Sequence, residues 1–328
     1  MAISVPASAN PPVSVRTRFR APVSVAFLLR RLGSAAVAVI AVLSVVFFSL
    51  HLTGNPAVLL LPPDAPPEEL ARLTALMGFD RPLPEQYLSF LVQAGTGNFP
   101  ESIRYGQPAM DLVALRFPAT LTLGLTGLGA GSALGLVIGY KSAVSRGNGR
   151  TLPVTVLTAL ESIPSFFLGI LLILLFSITL RWFPLSGGGS LAHLVLPSLV
   201  IALAIAAPVA RIFRATLLET LGRDHVVLAR AKGIGQHQLA VRHVVLNSLP
   251  PVLNTIGIQA GVALGGAVVT ETLFAWPGVG QLAVSALNGR DYPLVLASVT
   301  VIAVGFVLVN LAVDIAVAVF DPRAKDRI

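Results

Sequence analysis

Three carboxylates, Glu161, Glu271 and Asp314, lie within or at the ends of long apolar stretches. Acidic groups in that setting can relay protons or line a polar path through lipid. A relay needs a second ionisable group along the same stretch and finds none, so bonding to nearby backbone or Arg is the plainer role. His225, His237 and His243 share one polar segment, but spacings of 12 and 6 do not place them on one helical face as metal ligands require. Gly135-Leu136-Val137-Ile138-Gly139-Tyr140-Lys141-Ser142 has the residue types of a phosphate-binding loop at the wrong spacing. Gly127-Leu128-Gly129-Ala130-Gly131 is a dinucleotide-like pattern inside an apolar stretch, with no preceding strand. Any ATP hydrolysis coupled to this chain must therefore occur on a separate one. Cysteine is absent, which excludes disulfides, zinc-thiolate sites and thiol nucleophiles. Ala229-Arg230-Ala231-Lys232-Gly233 leaves two roles open: a helix end that inserts small side chains and two cations into an acidic-rimmed groove, or a solvated helix at a membrane surface.

The elements that must position these residues are membrane spans. The 328 residues are 55% hydrophobic and 12% charged, with mean hydropathy +0.82, a balance suited to lipid rather than water. Six stretches reach the roughly 20 residues needed to cross a bilayer: Gly33–Leu52, Ala119–Gly139, Pro153–Leu180, Leu191–Ala210, Val252–Thr270 and Leu294–Val313. None contains Lys or Arg, and Glu161 is their one acidic residue. The first is too long for a cleaved signal and is expected to be a retained helix. With the N-terminus in the cytoplasm, 17 of the 23 Lys and Arg fall on the cytoplasmic side, so both termini are expected there. The net charge of +8 is explained by this topology; no basic, aromatic-interleaved tract points to nucleic acid. Residues 1–24 form a Pro- and Ser-rich tail expected to be disordered. Residues 53–118 form an external insertion with helices over Pro66–Met77 and Pro84–Ala94. Residues 211–249 form the longest cytoplasmic loop, with a short helix from Asp224 to Gly233 and a second from about Gln236. Glycines at 127, 131, 135 and 139, and at 257, 261 and 265, recur every fourth residue. They permit close helix packing, within the chain or against another subunit.

Several phrases, in order, resemble a known family. They are Gly54-Asn55-Pro56, where the family usually has Asp in place of Asn55; Leu76-Met77-Gly78-Phe79-Asp80-Arg81-Pro82-Leu83-Pro84 with Gln86-Tyr87-Leu88; and Ile163-Pro164-Ser165-Phe166. Ala229-Arg230-Ala231-Lys232-Gly233 is followed by Asn247-Ser248-Leu249-Pro250-Pro251. Glu271-Thr272-Leu273-Phe274-Ala275-Trp276-Pro277-Gly278-Val279-Gly280, Arg290-Asp291-Tyr292-Pro293, Asn310-Leu311 with Asp314, and Asp321-Pro322-Arg323 complete the set. Together they resemble the B-type (DppB/OppB-like) permeases of bacterial dipeptide, oligopeptide and nickel ABC importers, within the wider MetI-like group.

The resemblance implies an all-α integral membrane protein with the type I importer fold over residues 25–328, and a coupling helix carrying Asp224, Ala229, Arg230, Ala231, Lys232 and Gly233. Val227-Leu228-Ala229 stands where the general permease pattern has Glu-Ala-Ala, so that Glu's salt bridges are not carried over. The implied partners are a second, C-type permease, two ABC ATPase subunits or domains holding ATP and Mg, and an external solute-binding protein; this chain itself binds no cofactor. The implied location is the bacterial inner membrane, and the implied cargo is di- or oligopeptides, with nickel, glutathione or another small solute as alternatives. Glu161, Asn254, Gln259 and Glu271 are the polar candidates for the path. The rival classes are a stand-alone secondary transporter or channel, which would show paired intramembrane charges or broken helices, and a membrane scaffold without transport.

Overall fold

An apolar run in lipid has no water to satisfy its peptide groups, so it must satisfy them itself, as a helix. The computed structural model describes residues 25–52, 66–76, 78–145, 151–233 and 244–320, with Val58, Gly235, Gln238 and Leu239. The expected tail over 1–24, together with His237 and His243, lies outside them. In chain order the helices are α1 (Val25–Leu52), α2 (Pro67–Leu76), α3 (Leu83–Thr96), α4 (Ala109–Val144), α5 (Leu152–Glu161), α6 (Ser165–Leu172, continued as a π-helix over Ile173–Thr179), α7 (Leu191–Leu221), α8 (Asp224–Ala231), α9 (Leu246–Leu273), α10 (Val279–Asn288) and α11 (Tyr292–Phe320). Among the described residues there is no strand, and a single bridge from Glu101 to Pro108 closes the loop before α4.

Five helices, α1, α4, α7, α9 and α11, are long and apolar enough to cross a membrane. The sixth crossing differs from the single span read over Pro153–Leu180: α5 and α6 meet at a bend of 106°. Pro164 causes it. Proline has no N–H for the helical ladder and drives the residue before it out of helical geometry, and Pro164 itself is extended, at φ −53° and ψ 135°. Hydropathy also misplaces the end of the fourth span. α7 continues eleven residues past Ala210, because Phe213 and Leu217 keep the apolar periodicity and stay buried.

α7 is the centre of the bundle, and its main partner is α4. Gly127, Gly131, Gly135 and Gly139 are buried along the contact. A Cβ on Gly131 would sit 2.6 Å from the Ala202 carbonyl oxygen, and one on Gly135 would sit 2.7 Å from that of Ala206. Ala206 and Ala210 face Gly135 and Gly139 with no exposed surface. Small residues on both helices bring the backbones together, and that contact holds helices in lipid, where hydrophobic burial gives no preference. The first glycine stripe is thus spent within the chain. In the second, Gly257 and Gly261 meet Val313, Phe306 and Asn310 of α11, while Gly265 has no neighbouring atom within 4 Å.

The insertion is seated on α1 and α11 by rings. Phe47 stacks on Phe90, and Phe79 meets Tyr292 edge-on. Ser44 bonds Tyr87 at 2.6 Å, and His51 bonds Gln86 at 2.8 Å. Gly78, at φ +72°, follows α2. α3 runs through Gly95 to Thr96, two residues past the Ala94 end read from sequence, and Gly97 takes the left-handed cap.

Between α9 and α10 the chain turns inside the protein. Glu271 is fully buried and its Oε2 accepts the Gln281 N–H at 3.1 Å, so the carboxylate sits at the positive N-terminal end of α10. Thr120 Oγ1 accepts the Val279 N–H at 2.8 Å, and Trp276 Nε1 donates to the Ala119 carbonyl at 3.0 Å. A side chain on Gly278 or Gly280 would occupy the carboxylate's place. The spacing of Glu271, Gly278 and Gly280 is therefore the spacing of a capped turn. Non-helical backbone is tolerated in this turn because protein packs around it, with Phe274, Trp276 and Val279 buried.

Two outcomes follow for the thermal stability of the purified complex. Gly131→Val lowers it by about 1–3 kcal/mol through overpacking, whereas Gly129→Ala, in open space, changes it by less than about 1 kcal/mol. Glu271→Ala strands the Gln281 N–H and costs about 1–3 kcal/mol, and Glu271→Gln, which keeps an acceptor, costs less. Equal melting curves for the members of either pair would contradict these contacts.

Candidate functional site

α8 is a short helix joined to the end of α7 by Gly222 and Arg223. Both of its faces carry apolar residues. Val226 and Ala229 are buried in the chain's own core with Phe213, Leu217 and Val252, so α8 moves with α7. On the opposite side Val227 and Leu228 are each 57% exposed, beside exposed Asp224, Ala231 and Lys232. Gly233, at φ +76°, ends the element. The side chains of His225 and Arg230 lie outside the described residues. Of the coupling residues named from sequence, Ala229 faces inward, and the apolar surface belongs to Val227 and Leu228, which the motif alone did not single out. Their signal was two adjacent large apolar residues in a loop helix.

The polar residues proposed for a path do not come together. Glu271 is held in the turn before α10. Asn254 is exposed and Gln259 half-buried on α9. Glu161, the last residue of α5, accepts two bonds from Arg211 of α7, through Nη1 and, at 3.3 Å, through Nη2. Arg211 Nη1 also donates to Thr158 Oγ1 at 3.2 Å. The pair is partly open, with side-chain exposures of 32% for Glu161 and 41% for Arg211. Arg211 is the first cation after its span, a position that marks a membrane boundary but not a partner. The side chain of Asp314 lies outside the described residues, and among those described no cluster of His, Cys, Asp or Glu could hold a metal ion.

Just before α11, Asp291 is 1% exposed and accepts bonds from Ser102 Oγ, from the Ile103 and Arg104 N–H groups at 3.2 Å each, and from the Leu294 N–H at 3.3 Å. One carboxylate caps α11 and ties down the loop ahead of α4. Sequence reasoning placed Asp291 in a motif and assigned it no task.

Two family models match the chain: binding-protein-dependent transport system inner membrane component over residues 131–326, and the N-terminal part of such components over 24–124. The glutathione transport system permease protein GsiC of Escherichia coli (strain K12) is 35% identical over 301 residues, covering 91% of this chain and 98% of that protein. A Brucella ovis protein named as a peptide permease is 37% identical over 315 residues, with the same coverage of both. In fold the chain is similar to the permease of the MetNI methionine ABC transporter, at 23% identity and TM-score 0.54, over 65% of this chain and 97% of that one. The bent span and the paired charges are features a stand-alone transporter would also have, and near-complete coverage of these relatives decides between the classes. The chain belongs to the family of binding-protein-dependent transport system inner membrane components, and is a multi-pass permease subunit of a type I ABC importer.

Proposed function

We propose that this permease pairs with a second, C-type permease in the bacterial inner membrane and that the two enclose a path for di- or oligopeptides. An external solute-binding protein delivers the cargo, and two ATPase subunits or domains, which hold ATP and Mg, drive the cycle from the cytoplasm. The chain supplies the path and performs no covalent chemistry. Both termini face the cytoplasm, as the distribution of Lys and Arg favours. ATP closes the motor, the motion passes through α8, and the spans exchange an inward for an outward cavity.

The observation that carries this is the outer face of α8. A short cytoplasmic helix fastened to the longest-buried span, with two large apolar residues turned to solvent beside a lysine, has the form of an anchor awaiting a groove. The exposed Asn254 and half-buried Gln259 of α9 are suited to the path; Glu271 is engaged by α10 in this conformation. Glutathione is the second candidate cargo, favoured by the similarity to GsiC, and it shares the backbone and termini of a short peptide.

With the assembled complex in proteoliposomes, Val227→Asp with Leu228→Asp weakens retention of the ATPase by about tenfold or more, the loss expected of two apolar anchors. Arg230→Glu with Lys232→Glu uncouples ATP hydrolysis from uptake. Undiminished ATPase retention in the first variant and undiminished uptake in the second would remove the docking role. Uptake of labelled dipeptide against labelled glutathione, with the cognate binding protein present, separates the two cargoes.

A further inference from the structure

We infer that the Glu161–Arg211 pair is a movable strut that carries the displacement of α8 to the hinge of the bent span; this rests on α8 being the ATPase-docking helix. Three placements support it. Arg211 stands on α7, ten residues before its cytoplasmic end at Leu221, about 15 Å along one continuous helix at 1.5 Å per residue. That end carries α8, locked to it through Val226, Ala229, Phe213 and Leu217. Glu161 is the last residue of α5, immediately before the break at Ser162, Ile163 and Pro164 where the span turns by 106°. The two-pronged bond therefore joins the far end of a lever to the near side of a hinge.

The character of the pair suits a contact that is made and broken. A partly exposed ion pair adds little static stability, so its removal need not unfold the bundle. α5 is held to α7 independently, by Leu157 against Ala206, Ala207 and Ala210. What the pair adds is direction: a planar guanidinium bound to both carboxylate oxygens, with Thr158 on one nitrogen, sets the angle as well as the distance between partners. A charged pair at a membrane boundary also has to face water or protein rather than lipid. Glu161 and Arg211 are thus positioning residues and need not touch cargo.

The chain has no cysteine, so spin labels can be placed at Leu152→Cys and Leu174→Cys, on exposed positions flanking the hinge, in the full complex with cysteine-free partners. Double electron–electron resonance is recorded without nucleotide and with ATP plus orthovanadate. The expected result is a shift of the Leu152–Leu174 distance on trapping, lost in Glu161→Gln and in Arg211→Gln while ATPase retention is unchanged, and recovered in the charge-swapped Glu161→Arg/Arg211→Glu double variant. Arg211→Lys, which keeps the charge without the fork, recovers only part of the shift. A distance that never moves in the unmodified pair, or that moves equally in Glu161→Gln, overturns the strut. If the ATPase is retained undiminished by the Val227→Asp/Leu228→Asp variant, the docking of α8 falls instead, whatever the hinge does.

Discussion

Close contact between α4 and α7 is the interaction on which the other positions depend. In lipid a helix gains nothing by hiding apolar side chains, so adhesion has to come from dispersion between backbones that approach closely. Glycine on α4 and alanine on α7 supply that approach over three turns, and a single added Cβ would meet a carbonyl oxygen. With α7 held this firmly, the elements fastened to it have fixed places: α5 against its alanines, α9 through the bonds among Thr216, Thr220 and Ser248, and α8 at its end.

The carboxylates illustrate a second constraint. Glu161, Glu271 and Asp291 stand where a charge facing lipid would be costly, and each has a different solution. Glu161 takes an arginine, Glu271 takes the N-terminus of α10, and Asp291 takes three backbone N–H groups and a hydroxyl. Two of the three build turns between helices. The one partnered by an arginine is the one beside the 106° bend, and of the three only that one is partly open to its surroundings.

The short helix α8 combines a buried face with an uncovered apolar one. Val226 and Ala229 commit one side of α8 to the chain's own core, which leaves Val227 and Leu228 without cover in the isolated chain. Such an arrangement lets force applied at the outer face pass into the bundle instead of being absorbed by a loop. Under the proposed docking, apolar contact from Val227 and Leu228 and the Lys232 charge would supply the anchoring in place of a glutamate at position 227.

The five long spans and the bent pair, the helices of the insertion and the short loop helix were legible in the sequence, because the cost of a charge in lipid and the repeat of the α-helix are local properties written into consecutive residues. The glycine stripe was legible as a packing surface for the same reason. Which surface it packs against was not, nor that Pro164 bends its span by 106°, nor that Arg211 meets Glu161 fifty residues away and Asp291 meets the loop at Ser102 across nearly two hundred. Those pairings depend on how whole helices lie against one another. The inward turn of Ala229 and the outward turn of Val227 were settled in the same way, since periodicity identifies the faces of a short helix, but only the surrounding fold decides which of them it covers.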